Sequence, residues 1–397
     1  MVDSHFAPKA TTCPYHQGRD ERKSALPPAA EAGAIVVQSF GLARQSLRSD
    51  GVRQAGFRAD MLERFGKREH APVLYQAGEA HQKQRSAIAR FFTPKIVSGR
   101  YRALMERLSD RLVERLRTAG RTRLDQMSLE IAVAVAAEIV GLTESRLPRM
   151  ARRLNRFFTA TGQHRNPLVA FGVFVLSQYC VLQFYFWDVR PAIRARRRSP
   201  REDVISHLIA RGRSHREILT ECLMYGAAGM ATTREFIVMA AWHLFERNEL
   251  KARFLGGDEP ERIAILEEIL RLEPVVGALY RRADHDLALE DAGETFHIPA
   301  GSLLALDVRG ANADSIAGDC PHQLDPDRAR AGVPASLISF GDGPHRCPGA
   351  TIALQEAAIF LDRLFRVPGI SLENVPALTW NPTIAGYELR GAIVTAD

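Results

Sequence analysis

Apolar residues recur at three- and four-residue spacing through four long stretches, Tyr101 to Leu116, Leu129 to Val140, Ile218 to Phe245 and Ile263 to Leu272. That spacing collects apolar side chains on one face of a helix, so a chain with this much of it predicts a mainly α fold built by helix packing. Short β-like pieces fall between Leu287 and Leu306, around a turn at Pro299-Ala300-Gly301, and again near the C-terminus, predicting small β-sheets beside the helices. No βαβ alternation, repeat or glycine-rich phosphate loop interrupts the pattern. With 397 residues and 46% hydrophobic composition, a sizeable core is available. Residues 1–30, rich in Ala, Pro and charge, read as a loosely ordered lead-in, and 31–397 as a single domain.

The formal net charge of +7 raises a nucleic-acid reading, but the basic residues are spread along helical segments without aromatic interleaving, so no nucleic-acid partner is expected. A basic surface serves equally to attract an acidic protein. The N-terminus has an acid at Asp3 and no basic-then-apolar run, which predicts a cytoplasmic protein without a targeting peptide. Five scattered cysteines argue against a disulfide framework, and Cys13-Pro14-Tyr15-His16 lacks the second pair that a metal site needs. Leu168 to Trp187 carries no charge until its flanks. That run fits a membrane span, a buried helix, or a helix with a partly exposed apolar contact surface; a transmembrane anchor is not expected.

One cysteine stands apart. Phe340-Gly341-Asp342-Gly343-Pro344-His345-Arg346-Cys347-Pro348-Gly349 is a glycine-rich bend running into a helical stretch, Ala350 to Phe365. A thiol there meets unpaired backbone N–H groups and the positive end of a helix dipole, which favour the thiolate. A thiolate is the electron-rich axial ligand that haem iron needs for O–O cleavage, and glycines let backbone approach a flat ring closely.

This passage resembles the haem-binding signature of the cytochrome P-450 family at Phe340, Gly341, Gly343, His345, Cys347 and Gly349. Further motifs follow the family's order. Glu268-Ile269-Leu270-Arg271 resembles its ExxR pair, and Asp325-Pro326-Asp327-Arg328 lies where the bracing arginine is expected. His81 and Arg85, four apart and so on one helical face, look like the HxxxR pair that grips a haem propionate, with Arg281 and His345 on the second. Ala228-Gly229-Met230-Ala231-Thr232-Thr233 resembles the oxygen-binding stretch of the central helix. There Ala228 leaves room at the cofactor, and Thr232 is the proton-relaying hydroxyl. The family usually has an acid just before that threonine; here the position is Ala231, and Glu235, one turn on, is the candidate substitute.

The resemblance implies the family's triangular helical prism around one haem b, with Cys347 on the iron. It implies monooxygenation of an apolar or aromatic small molecule, in a pocket walled by Phe57 to Tyr75, Ala227 to Thr232, Val275 to Leu279 and Ile384 to Tyr387. With no reductase motif in the chain, electrons come from a separate ferredoxin or flavodoxin, steered by Lys83, Arg85, Arg90, Lys95 and Arg346. Ala231 keeps open a peroxide-driven or oxidative-coupling enzyme, and a haem-based ligand-binding protein without turnover is the alternative from another class.

Overall fold

The computed structural model describes residues 5–6, 23, 31, 33–56, 71–159, 167–328, 332–382 and 384–397. Nearly all of the lead-in, the Cys13–His16 fragment included, and most of the 57–75 loop lie outside them.

Each of the four periodic stretches is helical: Arg102–Ala119, Leu124–Val140, a run over 215–246, and Glu259–Leu272. Their ends follow capping chemistry. Gly120 and Gly141 adopt left-handed φ angles of 66° and 99° and donate N–H to Leu116 O and Ala137 O, stopping the first two helices. Ser214 and Glu217 form a reciprocal capping box at the start of the third, and Asp258 accepts from Glu261 N at the start of the fourth. Leu124–Val140 is buried almost all round and packs against 232–246, while Ala350–Phe365 packs on Arg102–Ala119, Glu259–Leu272 and 232–246. Their shared core includes Ile131, Val135, Ile237, Met239, Ile269 and Phe360.

A five-stranded sheet lies beside this bundle in the order 5–6, 35–37, 303–307, 278–283, 52–54, with its first two pairings parallel and the others antiparallel. The expected β region resolves into the hairpin Leu287–Asp291 with Glu294–Ile298 and the strand Leu303–Asp307, Gly301 turning at φ 80° between them. Ala278–Ala283, paired between Leu303–Asp307 and Val52–Gln54, extends the β region earlier than periodicity suggested, because only two of its six residues are buried. The C-terminal strands Ala377–Asn381 and Gly386–Arg390 pair antiparallel.

Two segments differ from their simplest sequence readings. The run 215–246 is not one uniform α-helix: Gly226–Ala231 widens into a π-helical turn, where small side chains hold the backbone least. Leu168 to Trp187 is neither a span nor a buried helix. Pro167–Phe184 is a helix, followed by a π turn over Tyr185–Val189, with most of its large apolar side chains exposed. Among the described residues no helix is long and apolar enough to cross a membrane.

Glu356, in the core helix Ala350–Phe365, has a buried Oε1 with no hydrogen-bond partner, and burial pushes its carboxyl up to about 8. Between the ordinary carboxylate value and about 8 the unfolded chain has released this proton and the folded chain has not, so stability falls as pH rises through that window. Glu356→Gln is therefore expected to raise stability near pH 8 by on the order of a few kcal/mol and to flatten its decline with pH, read by thermal or urea unfolding across the range.

Candidate active site

The cysteine bend has almost no regular structure of its own and is held by its neighbours. Cys347 N donates to Phe340 O at 2.8 Å, closing the bend, and Arg346 N donates to Gly343 O at 3.1 Å. Gly341 and Gly343 have φ of 70° and 64°. A Cβ on Gly343 would lie 2.4 Å from the carbonyl oxygen of Leu47, so its glycine is required by the helix Phe40–Arg48 pressed against the bend. That helix is tied on by Asp342, which accepts from Arg44 Nε at 2.9 Å and Arg48 Nη2 at 3.0 Å. Cys347 stands just ahead of Ala350–Phe365, half-buried; loss of hydration raises its thiol pKa, against the lowering pull of the Gly349 N–H, Arg85 and Arg346.

Behind the bend lies a buried polar brace. Arg271 donates to both oxygens of Glu268, Nε to Oε2 at 2.8 Å and Nη2 to Oε1 at 2.7 Å, and its Nη1 reaches Asn312 O and Pro321 O at 2.8 and 2.6 Å. Arg328 Nε approaches Glu268 Oε1 at 3.4 Å. The ExxR pair is thus fully buried, with the later arginine in place as its third member. Asn312, which no sequence signal singled out, passes the brace to the bend. Its Nδ2 donates to Arg271 O at 3.0 Å and Ser339 Oγ at 2.7 Å, and its Oδ1 accepts from Ile338 N at 3.1 Å.

The predicted propionate residues lie on three separate elements. His81 and Arg85 sit on the helix Gly78–Ala89, Arg281 on the strand Ala278–Ala283 and His345 in the bend. The structure brings them together: His81 and His345 stack with ring centroids 4.0 Å apart, and Arg85 Nη2 donates to Arg346 O. Arg281 is buried and donates to Tyr280 O at 2.9 Å and to Gln54 Oε1, both neutral. Burial lowers its pKa to about 10, and no carboxylate offsets that. Burial together with His81, Arg281 and Arg85 pushes His345 down to about 3. Among the described residues Arg85 and Arg281, with the two imidazoles between them, have no acidic partner, an arrangement that fits a ligand bringing its own carboxylates.

On the central run, Thr232 Oγ1 donates to Ala228 O at 2.5 Å, across the widened turn. Ala228 stays exposed there while Gly226 and Met230 beside it are buried. Glu235 does not face this opening as a free acid. It is fully buried, with Oε1 accepting from Arg234 Nε at 2.7 Å, both oxygens from Arg390 Nη1 at 2.8 and 2.9 Å, and Oε2 from Leu389 N at 2.7 Å. It clamps the strand Gly386–Arg390 to the helix. Tyr387, expected in a pocket wall, is inaccessible and donates its hydroxyl to Glu273 O at 3.2 Å, which makes it part of the core.

The family profile described as Cytochrome P-450 matches residues 263–367, the span holding Glu268, Arg271, Arg328 and the whole cysteine bend. The chain is 26% identical over 305 residues to a putative cytochrome P-450 123 of Mycobacterium tuberculosis, covering 74% of this chain and 71% of that protein. In fold it is similar to CalO2, with TM-score 0.77, 20% identity and 94% and 92% of the two chains covered. It is also similar to P450BioI, solved in complex with hexadec-9Z-enoic acid ligated acyl carrier protein, with TM-score 0.75, 21% identity and 92% of each chain covered.

Removing the Asn312 side chain leaves Ile338 N and Arg271 O without their buried partners. Asn312→Ala is expected to lower stability by about 2–4 kcal/mol in urea unfolding; a loss under about 0.5 kcal/mol, the range of ordinary surface substitutions, contradicts the brace.

Proposed function

Because the chain belongs to the cytochrome P-450 family, a family of haem oxidoreductases, we propose that it is a haem-thiolate monooxygenase that oxidises an apolar or aromatic small molecule, working in the cytoplasm with a separate ferredoxin or flavodoxin. The observation that carries this reading is Cys347 in its braced bend, beside a buried cationic group without acids. When bound, haem b supplies the activation of dioxygen, which an electron-rich sulfur ligand favours.

The chain's own residues divide the work. Cys347 is the sulfur ligand, its negative charge supported by the Gly349 N–H and by Arg85 and Arg346. His81 and Arg85 hold one propionate, and Arg281 and His345 the other. Phe340, Gly341 and Gly349 shape the bend against the ring, and the small Ala228 keeps the distal side open. Thr232 donates its hydroxyl proton to Ala228 O, leaving its oxygen lone pairs to accept from water in the opening. Lys83, Arg90, Lys95 and Arg346 are exposed and offer a basic face to an acidic electron carrier.

Proton supply is where a second reading gains ground. Ala231 carries no acid, and Glu235 is held by two arginines and a backbone N–H, which favours a positioning role over proton donation. That favours peroxide-driven turnover, in which the oxidant arrives already carrying its protons.

The reduced protein is expected to give the red-shifted carbon monoxide Soret band of sulfur-anion ligation, and Cys347→Ser to lose it. Turnover with ferredoxin and NADPH against turnover with hydrogen peroxide separates the two enzyme readings; a ligand panel that shifts the haem spin state while neither system yields product points to a binding protein. Arg281 gives an independent check. Arg281→Met is expected to leave the haem-free protein at least as stable, since a buried unpaired guanidinium is removed. Haem affinity is expected to fall by about tenfold or more, measured by haem transfer to an acceptor protein, as a charge-assisted pair is lost.

A further inference from the structure

Nine of the eleven large hydrophobic side chains exposed among the described residues fall within 169–187. They belong to the helix Pro167–Phe184 and the turn that follows, and the most exposed are Phe171 at 67% and Trp187 at 66%. Scattered single exposures are ordinary in proteins, but one contiguous patch of this kind marks a contact surface. The helix touches the protein along a narrow stripe through Ser177, Cys180, Phe184 and Asp188, packed on the helix Leu147–Thr159. Asp188 is fixed there by Arg153, at 2.7 and 2.6 Å.

The shape of the patch decides among partners. At 100° per residue, the exposed positions cover an arc of roughly 220° of the helix circumference. A second copy or a flat protein partner covers one side of a helix, a stripe of roughly 100°, and leaves the flanks wet. A fluid apolar phase covers the whole arc. Charge points the same way: within 167–200 the only acid is Asp188, already paired, while the chain continues into Arg190, Arg194, Arg197 and Arg198. Arg194, Arg197 and Arg198 are exposed, and Arg190 lies over the Phe186 ring at 5.7 Å. Aromatic rings followed at once by arginines match the boundary between acyl chains and headgroups, where rings settle and guanidinium groups reach outward to phosphate.

We propose that Pro167–Phe184 seats the protein on an anionic lipid surface, lying in the interface with its apolar arc among the acyl chains and Arg194, Arg197 and Arg198 on the headgroup phosphates. At 18 residues it is about 27 Å long, enough to lie along the surface as a one-sided anchor.

The test is co-sedimentation of the full-length holoprotein with large unilamellar vesicles of equal parts phosphatidylglycerol and phosphatidylcholine, against phosphatidylcholine alone. Binding is expected to the anionic vesicles and to weaken with added salt. The triple variant Arg194→Gln, Arg197→Gln, Arg198→Gln is expected to weaken it on the order of a hundredfold, since each basic residue near such a surface contributes about a fivefold factor. Phe171→Asp with Phe174→Asp is expected to abolish it while leaving the carbon monoxide spectrum unchanged, because both side chains are exposed. No binding to anionic vesicles, or binding equally strong to both compositions, overturns the proposal. So does a monomer–dimer equilibrium in sedimentation velocity that Phe171→Asp abolishes while vesicles are ignored, an outcome that assigns the patch to a second copy.

Discussion

A bend such as 340–349, which contains no ladder of hydrogen bonds of its own, keeps one geometry only if it is held from outside. Here the holding starts at Glu268 and Arg271, one helical turn apart and almost wholly inaccessible. Arg271 saturates its donors on a carboxylate and on the carbonyls of Asn312, Pro321 and Gln323. Asn312 then reaches forward to Ser339 and Ile338, the last residues before the bend. Burying two opposite charges contributes little net stability by itself, but a complete network penalises every arrangement in which one partner is missing. The brace therefore specifies a conformation more than it adds stability, which suits a site whose geometry is its function.

Arg281 shows the opposite use of the same side chain. Both arginines are buried, yet Arg271 is matched to an acid and several carbonyls while Arg281 has only an amide oxygen and a carbonyl. Desolvation thus lowers the pKa of Arg281, and the neighbouring His345 is driven low first by its own burial and then by His81, Arg281 and Arg85 around it. A protein that leaves such a cluster unneutralised carries a standing electrostatic penalty, relieved when an anion arrives. The contrast separates a guanidinium matched to a carboxylate from one held only by neutral oxygens.

Much of this was legible in the sequence where one residue type has one physical use. Helical periodicity located the core helices, and the ExxR spacing predicted a pair that turned out buried. What escaped were contacts closed by residues far apart in the chain. Gln54 meets Arg281 across 227 positions, and Asp342 reaches Arg44 across 298. Gly343 is glycine because of a carbonyl at Leu47, which no local pattern announces. Glu235 misled for the same reason: helical spacing set it one turn from Ala231, whereas its orientation is decided by Arg390 and Leu389 on a strand some 150 residues later.

The widened turn at Gly226–Ala231 ties the interior to the surface. It packs against the helix Leu147–Thr159, and that same helix carries the apolar helix Pro167–Phe184 on its other contacts. One layer of helix therefore lies between the opening beside Ala228 and the main exposed apolar surface among the described residues. Pro167–Phe184 and the turn whose carbonyl at Ala228 receives the Thr232 hydroxyl thus share the helix Leu147–Thr159 as a packing partner.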